Sequence, residues 1–152
     1  MRLAVDCGFF VTVLEDRLEF LETLPPPVVR VAAPEAAEFI AGRSWQADEA
    51  IVIVSRNHEL DRVALASALR TSGAGYIGMI GSHRKVRQVF DHLREQGVRE
   101  EVLGMVYAPF GLDIGADSPS EIAVSVLAEI LAVLRKRSGG SLREQRPSIR
   151  CA

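Results

Sequence analysis

Four short stretches combine residue types that binding or catalysis needs. In Tyr76-Ile-Gly-Met-Ile-Gly-Ser-His-Arg-Lys85 an apolar run meets Gly78 and Gly81, and a helix start at Ser82 carries Arg84 and Lys85 in its first turn. The helix macrodipole favours acids at that end, so two cations there oppose the local electrostatics unless an anion joins them. Backbone amides around Gly81 and Ser82, with Arg84 and Lys85, would hold a phosphate or carboxylate. The plainer alternative is glycine punctuation followed by a solvated basic face.

Ser55-Arg-Asn-His-Glu-Leu-Asp61 follows the most apolar run of the chain and supplies Arg56 and His58. Asn57 suits an N-cap, which leaves His58 and Asp61 three residues apart on one turn, where an Asp-His hydrogen bond would fix the imidazole. An ordinary surface helix start fits the same residues. His83 and His92 read as exposed helix residues, and the three histidines have no zinc spacing. In Ala108-Pro-Phe-Gly-Leu-Asp-Ile-Gly-Ala116, Pro109, Gly111 and Gly115 shape a tight loop around Asp113, which is either a ligand contact or a loop brace. Asp16, after Val11–Leu14, stands where a dinucleotide-binding fold places an acid on the ribose hydroxyls; without a GxGxxG before it, a solvated charged turn is the competing reading.

The elements that must position these groups alternate. Val11–Leu14, Val28–Val31, Ala50–Ser55, Tyr76–Ile80 and Met105–Ala108 read as strands, and the continuous Ile51-Val-Ile-Val54 suggests one covered on both faces. Between them, Pro34–Ala41, Glu59–Arg70 and Ser82–Gln96 carry helical apolar stripes. Ser118-Pro-Ser-Glu121 opens the last helix with an N-cap, a first-position proline and a capping-box acid, and Ile122, Val126, Ile130 and Val133 mark its buried face. The alternation predicts a Rossmann-like, doubly wound α/β domain with a mainly parallel sheet over residues 1–137 and a flexible tail over 138–152. Such sheets bind ligands beyond the carboxyl ends of their strands, so Asp16, His58, Arg84 and Asp113 are expected to share one hollow. Met1–Gly8 reads as the end of a first helix, so the expected domain is N-terminally truncated, its sheet one strand short in the middle.

Composition narrows the class further. A chain of 152 residues, 48% of them apolar and 25% charged, builds one soluble core. A formal charge of -2 argues against nucleic acid as the main partner. Cys7 and Cys151 are the only thiols and suggest neither a disulfide nor a metal site, which fits a reducing cytoplasm. No stretch approaches the roughly 20 apolar residues of a membrane span.

Tyr76–Lys85 and Ala108–Ala116, followed by the helix from Ser118 to Ile130, closely resemble the Rossmann domain of the XdhC/CoxI family, the xanthine dehydrogenase accessory factors. Val11–Asp16 and Ser55–Asp61 match two further family motifs in order, and the resemblance runs from about Arg2 to Arg135. It departs at Asn57, where glycine is common, at His83, where arginine or lysine is common, and in lacking the family's GxGH-type turn. The resemblance implies a non-catalytic maturation factor that binds molybdenum cofactor (molybdopterin) and delivers it to a molybdenum hydroxylase such as xanthine dehydrogenase. It implies cofactor contacts from Asp16, Arg56, His58, Gly78, Gly81, Ser82, Arg84, Lys85 and Asp113 and no metal ligands of the chain's own. A cysteine desulfurase is a further expected partner. The short sheet leads to the expectation of a homo-oligomer, a partner chain, or a start that falls too late. An NAD(P)-dependent oxidoreductase and an interaction domain with a vestigial pocket are the alternatives.

Overall fold

The computed structural model describes residues 1–32, 36–71 and 73–144. Along the chain these form α1 (Arg2–Asp6), β1 (Thr12–Glu15), α2 (Leu18–Glu22), β2 (Val29–Ala32), α3 (Ala36–Ala41) and β3 (Ala50–Ile53). They continue with α4 (His58–Arg70), β4 (Tyr76–Met79), α5 (His83–Glu95), α6 (Glu100–Leu103) and α7 (Pro119–Leu134). Pro34, Cys151 and the tail from residue 145 onward lie outside the described residues.

Four of the five apolar runs become strands, shifted by a residue or two. Met105–Ala108 instead makes an isolated parallel bridge: the Tyr107 N–H donates to Ile77 O (2.9 Å) and the Met79 N–H donates to Tyr107 O (3.0 Å). Pro109 follows two residues on and has no N–H with which to extend the ladder. The short helices α2 and α6 escape the sequence pattern because four or five residues hold little more than one helical turn of the apolar period.

Alternation along β3 and β4 sends side chains to two apolar layers. On one side, Ile51, Ile53 and Met79 pack with Ile40 of α3, Leu65 and Ala68 of α4, Val89 and Leu93 of α5, and Leu103. Each isoleucine, leucine, valine or methionine among them, once buried, contributes about 1.5–3 kcal/mol. On the other side, Tyr76 packs with Val126 and Ile130 of α7, joined by Phe9, Ala50, Tyr107 and Phe110. Helices on both faces make the protein a Rossmann-like α/β domain.

The sheet, expected to be one strand short in its middle, is divided into two parallel pairs. β1 pairs in parallel with β2, Thr12 opposite Val29 through Glu15 opposite Ala32, and β3 pairs in parallel with β4, Ala50 opposite Tyr76 through Ile53 opposite Met79. No ladder among the described residues joins the two pairs. The division falls between β1 and β3, because Leu14 of β1 packs against the β3–β4 core and Asp16 is paired with Arg56. The reading of β3 as covered on both faces therefore needs correction: Ile51 and Ile53 are buried, whereas Val52 is 43% and Val54 62% exposed. No helix among the described residues is long and apolar enough to cross a membrane.

Candidate functional site

The candidate groups lie just beyond the carboxyl ends of the strands, and three polar assemblies organise that rim. The first follows β1. Arg17 donates from Nε to Glu15 Oε1 (2.8 Å) and from a terminal nitrogen to Oε2 (2.9 Å), while its guanidinium lies 3.9 Å from the Phe20 ring centre. These bonds from Arg17 hold the Glu15 carboxyl down at about 2. Asp16, one residue on, accepts two bonds from Arg56 (2.8 and 2.5 Å) across forty residues of sequence. The fork geometry gives the pair a fixed orientation and internally compensated charge.

The second assembly joins the β3–α4 and β4–α5 turns. Asn57 caps α4, its Oδ1 accepting from the Leu60 N–H (2.9 Å), as the sequence pattern requires. Asp61 does not turn to His58. It is wholly buried, its Oδ1 accepts from the Ser55 N–H (3.1 Å), and its Oδ2 forms an ion pair with Lys85 Nζ without an aligned hydrogen bond. Lys85 therefore points inward from the first turn of α5, its stem lying over Gly81, where an added Cβ would come within 2.7 Å of Lys85 Cδ. Ser82 caps α5, accepting from the Lys85 N–H (3.3 Å). Arg84 is exposed and has no side-chain partner among the described residues, and no acid occupies that first turn.

The third assembly braces the loop over β4. The Tyr76 hydroxyl (2.7 Å) and the Gly111 N–H (2.9 Å) both donate to Glu129 Oε2. The Ser125 hydroxyl donates to Leu112 O (2.6 Å), and the Leu112 N–H donates to Ser125 O (3.3 Å). Gly111 has φ +106, a backbone conformation that favours glycine, and a Cβ there would meet Ser125 Oγ at 2.6 Å. Tyr76 stacks on Tyr107 with ring centres 4.7 Å apart. Burial first, and the Glu129 carboxylate second, push its hydroxyl well above the usual tyrosine range, so it stays a proton donor. Its ring passes so close to Gly78 that a Cβ there would lie 2.5 Å from it, which gives Gly78 a packing role.

These contacts bring together Asp16 with Arg56, and Gly81 and Ser82 with Lys85. His58 and Asp113 line different hollows, so the single hollow expected for them is divided. His58, exposed at the start of α4, faces a cleft of about 290 Å³ between α4 and α5 with Arg62, Gln88 and His92. In that cleft His92 Nε2 lies 2.9 Å from an Arg62 guanidinium nitrogen. Asp113 lines a hollow of about 220 Å³ with Phe110, Ile122 and Ser125. No group of three or more His, Cys, Asp or Glu side chains among the described residues could hold a metal ion.

Ser125 and Glu129 are organising residues that motif reading missed, and Asp61, read there as a partner for His58, serves Ser55 and Lys85 instead. Their signal is a polar residue set inside an apolar helical stripe: Asp61 beside Ala64 and Leu65, and Ser125 and Glu129 among Ile122, Val126, Ile130 and Val133.

Comparison with known proteins gives the chain its family. The family model described as the XdhC Rossmann domain matches residues 1–130. The chain is 36% identical over 135 residues to the uncharacterized protein YqeB of Escherichia coli K12, covering 88% of this chain and 24% of that protein. It is 29% identical over 136 residues to a Bacillus subtilis 168 protein described as a probable xanthine dehydrogenase subunit, covering 89% and 38%. Over 96 residues it is 31% identical to the molybdenum cofactor insertion chaperone PaoD of Escherichia coli K12, covering 62% and 30%. The chain thus spans well under half the length of these relatives. A crystal structure described as a xanthine dehydrogenase of Bacillus halodurans superimposes with a TM-score of 0.73 at 24% identity, over 95% of this chain and 41% of that one, a likeness of fold.

Proposed function

Because the chain belongs to the XdhC family, through its Rossmann domain, we propose that it takes part in maturing molybdenum hydroxylases of the xanthine dehydrogenase type by binding molybdenum cofactor. The role is binding and delivery rather than catalysis. The observation that carries the reading is the β4–α5 turn. Its helix start holds no acid, and it leaves the Arg84 guanidinium exposed, without a side-chain partner among the described residues, beside the His83 and Arg84 amides that the Ser82 cap of this 13-residue helix does not take up.

Molybdopterin ends in a phosphate, and the turn fits that group. Helix-start amides and one exposed guanidinium are the donors a phosphate accepts from. Lys85, spent on Asp61, supports the turn from beneath. Gly81 and Ser82 shape the approach, and the Asp16–Arg56 pair borders it across the rim as a second polar contact. His58 and Asp113 are assigned to the flanks, where each lines its own hollow. When bound, the cofactor supplies the molybdenum-sulfur chemistry; this chain's residues hold and orient its anionic end.

The partner in this reading is a molybdenum hydroxylase that receives the cofactor. A cysteine desulfurase and self-association belong to the same proposal, as does residence in the cytoplasm. The names of relatives support it: a cofactor insertion chaperone and a component of a xanthine dehydrogenase. A nicotinamide-dependent oxidoreductase fits less well, because Asp16, the acid placed to bond a ribose, is already occupied by Arg56.

Titration with molybdenum cofactor tests the proposal. Arg84→Ala removes a charge-assisted hydrogen bond of about 1.5–3 kcal/mol, equivalent to about 10–100-fold in affinity. Unchanged affinity removes the turn from the account, and micromolar binding of NADH or NADPH would favour the oxidoreductase instead.

A further inference from the structure

The loop over residues 109–116 borders a hollow whose chemistry the anion-binding turn does not use. The hollow measures about 220 Å³, and Phe110, Leu112 and Ile122 give it apolar walls. Asp113 is the one ionisable side chain that lines it among the described residues, exposed and without a side-chain partner there. The loop is shaped by bonds that leave Asp113 out. The Gly111 N–H donates to Glu129, the Ser125 hydroxyl to Leu112 O, and the Leu112 N–H to Ser125 O. The Asp113 carboxylate is therefore not a loop brace but a spare acceptor on an apolar hollow.

Size and position narrow the occupant. Pockets for drug-sized ligands run to roughly 300–1,000 Å³, so this smaller hollow suits a fused ring rather than a whole nucleotide. It also adjoins the anion-binding turn: Tyr107 bridges to Gly78, and the Phe110 N–H donates to Met79 O (3.3 Å), two residues before Gly81. Neighbouring strands lie about 4.7–4.9 Å apart, so a small molecule held by its phosphate at the turn need cross only one strand to enter the hollow. A lone carboxylate selects an edge with two parallel N–H donors, the fork that a guanidinium presents to acids. A fused 2-amino-4-oxopyrimidine has that edge in its ring N–H and amino group, on a flat ring that apolar walls accept.

We infer that the hollow is a ring subsite in which Asp113 accepts two hydrogen bonds from the 2-amino-4-oxopyrimidine edge of a pterin. The inference rests on the proposed binding of molybdenum cofactor and adds to it the residue that reads the pterin end. Guanine carries the same edge, and an arginine side chain of a partner carries a similar fork, so the test separates all three.

The whole chain is titrated with pterin, followed by quenching of the ring's fluorescence, and with lumazine, whose 2-oxo group replaces the 2-amino donor by an acceptor. Pterin should bind one-to-one and saturably, and lumazine at least about tenfold more weakly. Asp113→Asn should weaken pterin about 10–100-fold and remove the preference over lumazine, with the melting temperature unchanged because the side chain has no partner to lose. Guanosine monophosphate and N-acetylarginine amide, competed against bound pterin, should each displace it only at higher concentration than pterin itself. Absence of pterin binding, equal binding of lumazine by the parent chain, or an unaffected Asp113→Asn variant overturns the inference, as does tighter binding of either competitor. Pterin has no phosphate, so these failures leave the Arg84 turn standing, whereas molybdenum cofactor that binds equally to Arg84→Ala removes the turn and leaves the hollow.

Discussion

Replacing Lys85 by methionine should cost more stability than removing the charge of its partner, although both changes break the same ion pair. Asp61 is wholly buried while the Lys85 side chain is 15% exposed, so the two ends have unequal escape routes. Methionine preserves the stem that packs over Gly81 but strands a carboxylate away from water, with only the Ser55 N–H to compensate it. Breaking a buried pair in this way costs about 3–5 kcal/mol. Asp61→Asn keeps the acceptor for Ser55 and releases Lys85, whose amine can rotate to solvent, for about 1–2 kcal/mol. The double variant Asp61→Asn/Lys85→Met should be less destabilised than the two single costs added together, with a coupling of about 1–3 kcal/mol. Urea unfolding followed by circular dichroism reads these differences. With a slope of about 2 kcal/mol per molar, Lys85→Met should lower the midpoint by roughly 1.5–2.5 M and Asp61→Asn by less than about 1 M. Equal and additive single costs, or a Lys85→Met variant within about 1 kcal/mol of the parent, would refute the assignment of Lys85 as a buried brace.

Glu129→Leu should loosen the loop around Asp113 and cost about 1–3 kcal/mol, because Tyr76 and Gly111 both donate to one Glu129 oxygen and leucine leaves both donors without an acceptor. Faster hydrogen exchange at Gly111 and Leu112, with α5 unaffected, is the accompanying readout. Glu15 has its carboxyl lowered from 4.5 to about 2 by Arg17, so its stabilising contribution is complete above pH 4.5 and is lost as pH falls through 2. Glu15→Gln should therefore lie about 0.5–1 kcal/mol below the parent at neutral pH, the scale of a solvent-screened pair, and converge with it in a melting series carried down to pH 2. A gap that persists unchanged at pH 2 would contradict that account.

How much of this was legible in the sequence depended on range. The caps at Asn57 and Ser118 and the helix start at Ser82 were readable because each rests on contacts within three residues, and the structure contains all three. The strand-helix alternation and the two-layer core followed from periodicity, which a chain displays whatever its tertiary neighbours are. The gap in the middle of the sheet was also foreseeable, since strand order follows from connectivity rules.

What those residues face was decided only by docking. Sequence placed Arg84 and Lys85 together as two cations for one anion; folding sent Lys85 to Asp61, twenty-four positions earlier in the chain, and left Arg84 exposed. Asp16 met Arg56 forty residues away, and Glu129 reached Tyr76 across fifty-three. His58 and Asp113, each on a rim loop, came to line separate hollows because helix rotation and loop bracing, neither fixed by local spacing, set their directions. Local sequence thus determined the elements and their caps through short-range hydrogen bonding and apolar period. The pairing of charges waited on tertiary packing, which alone fixes the distances on which those interactions depend.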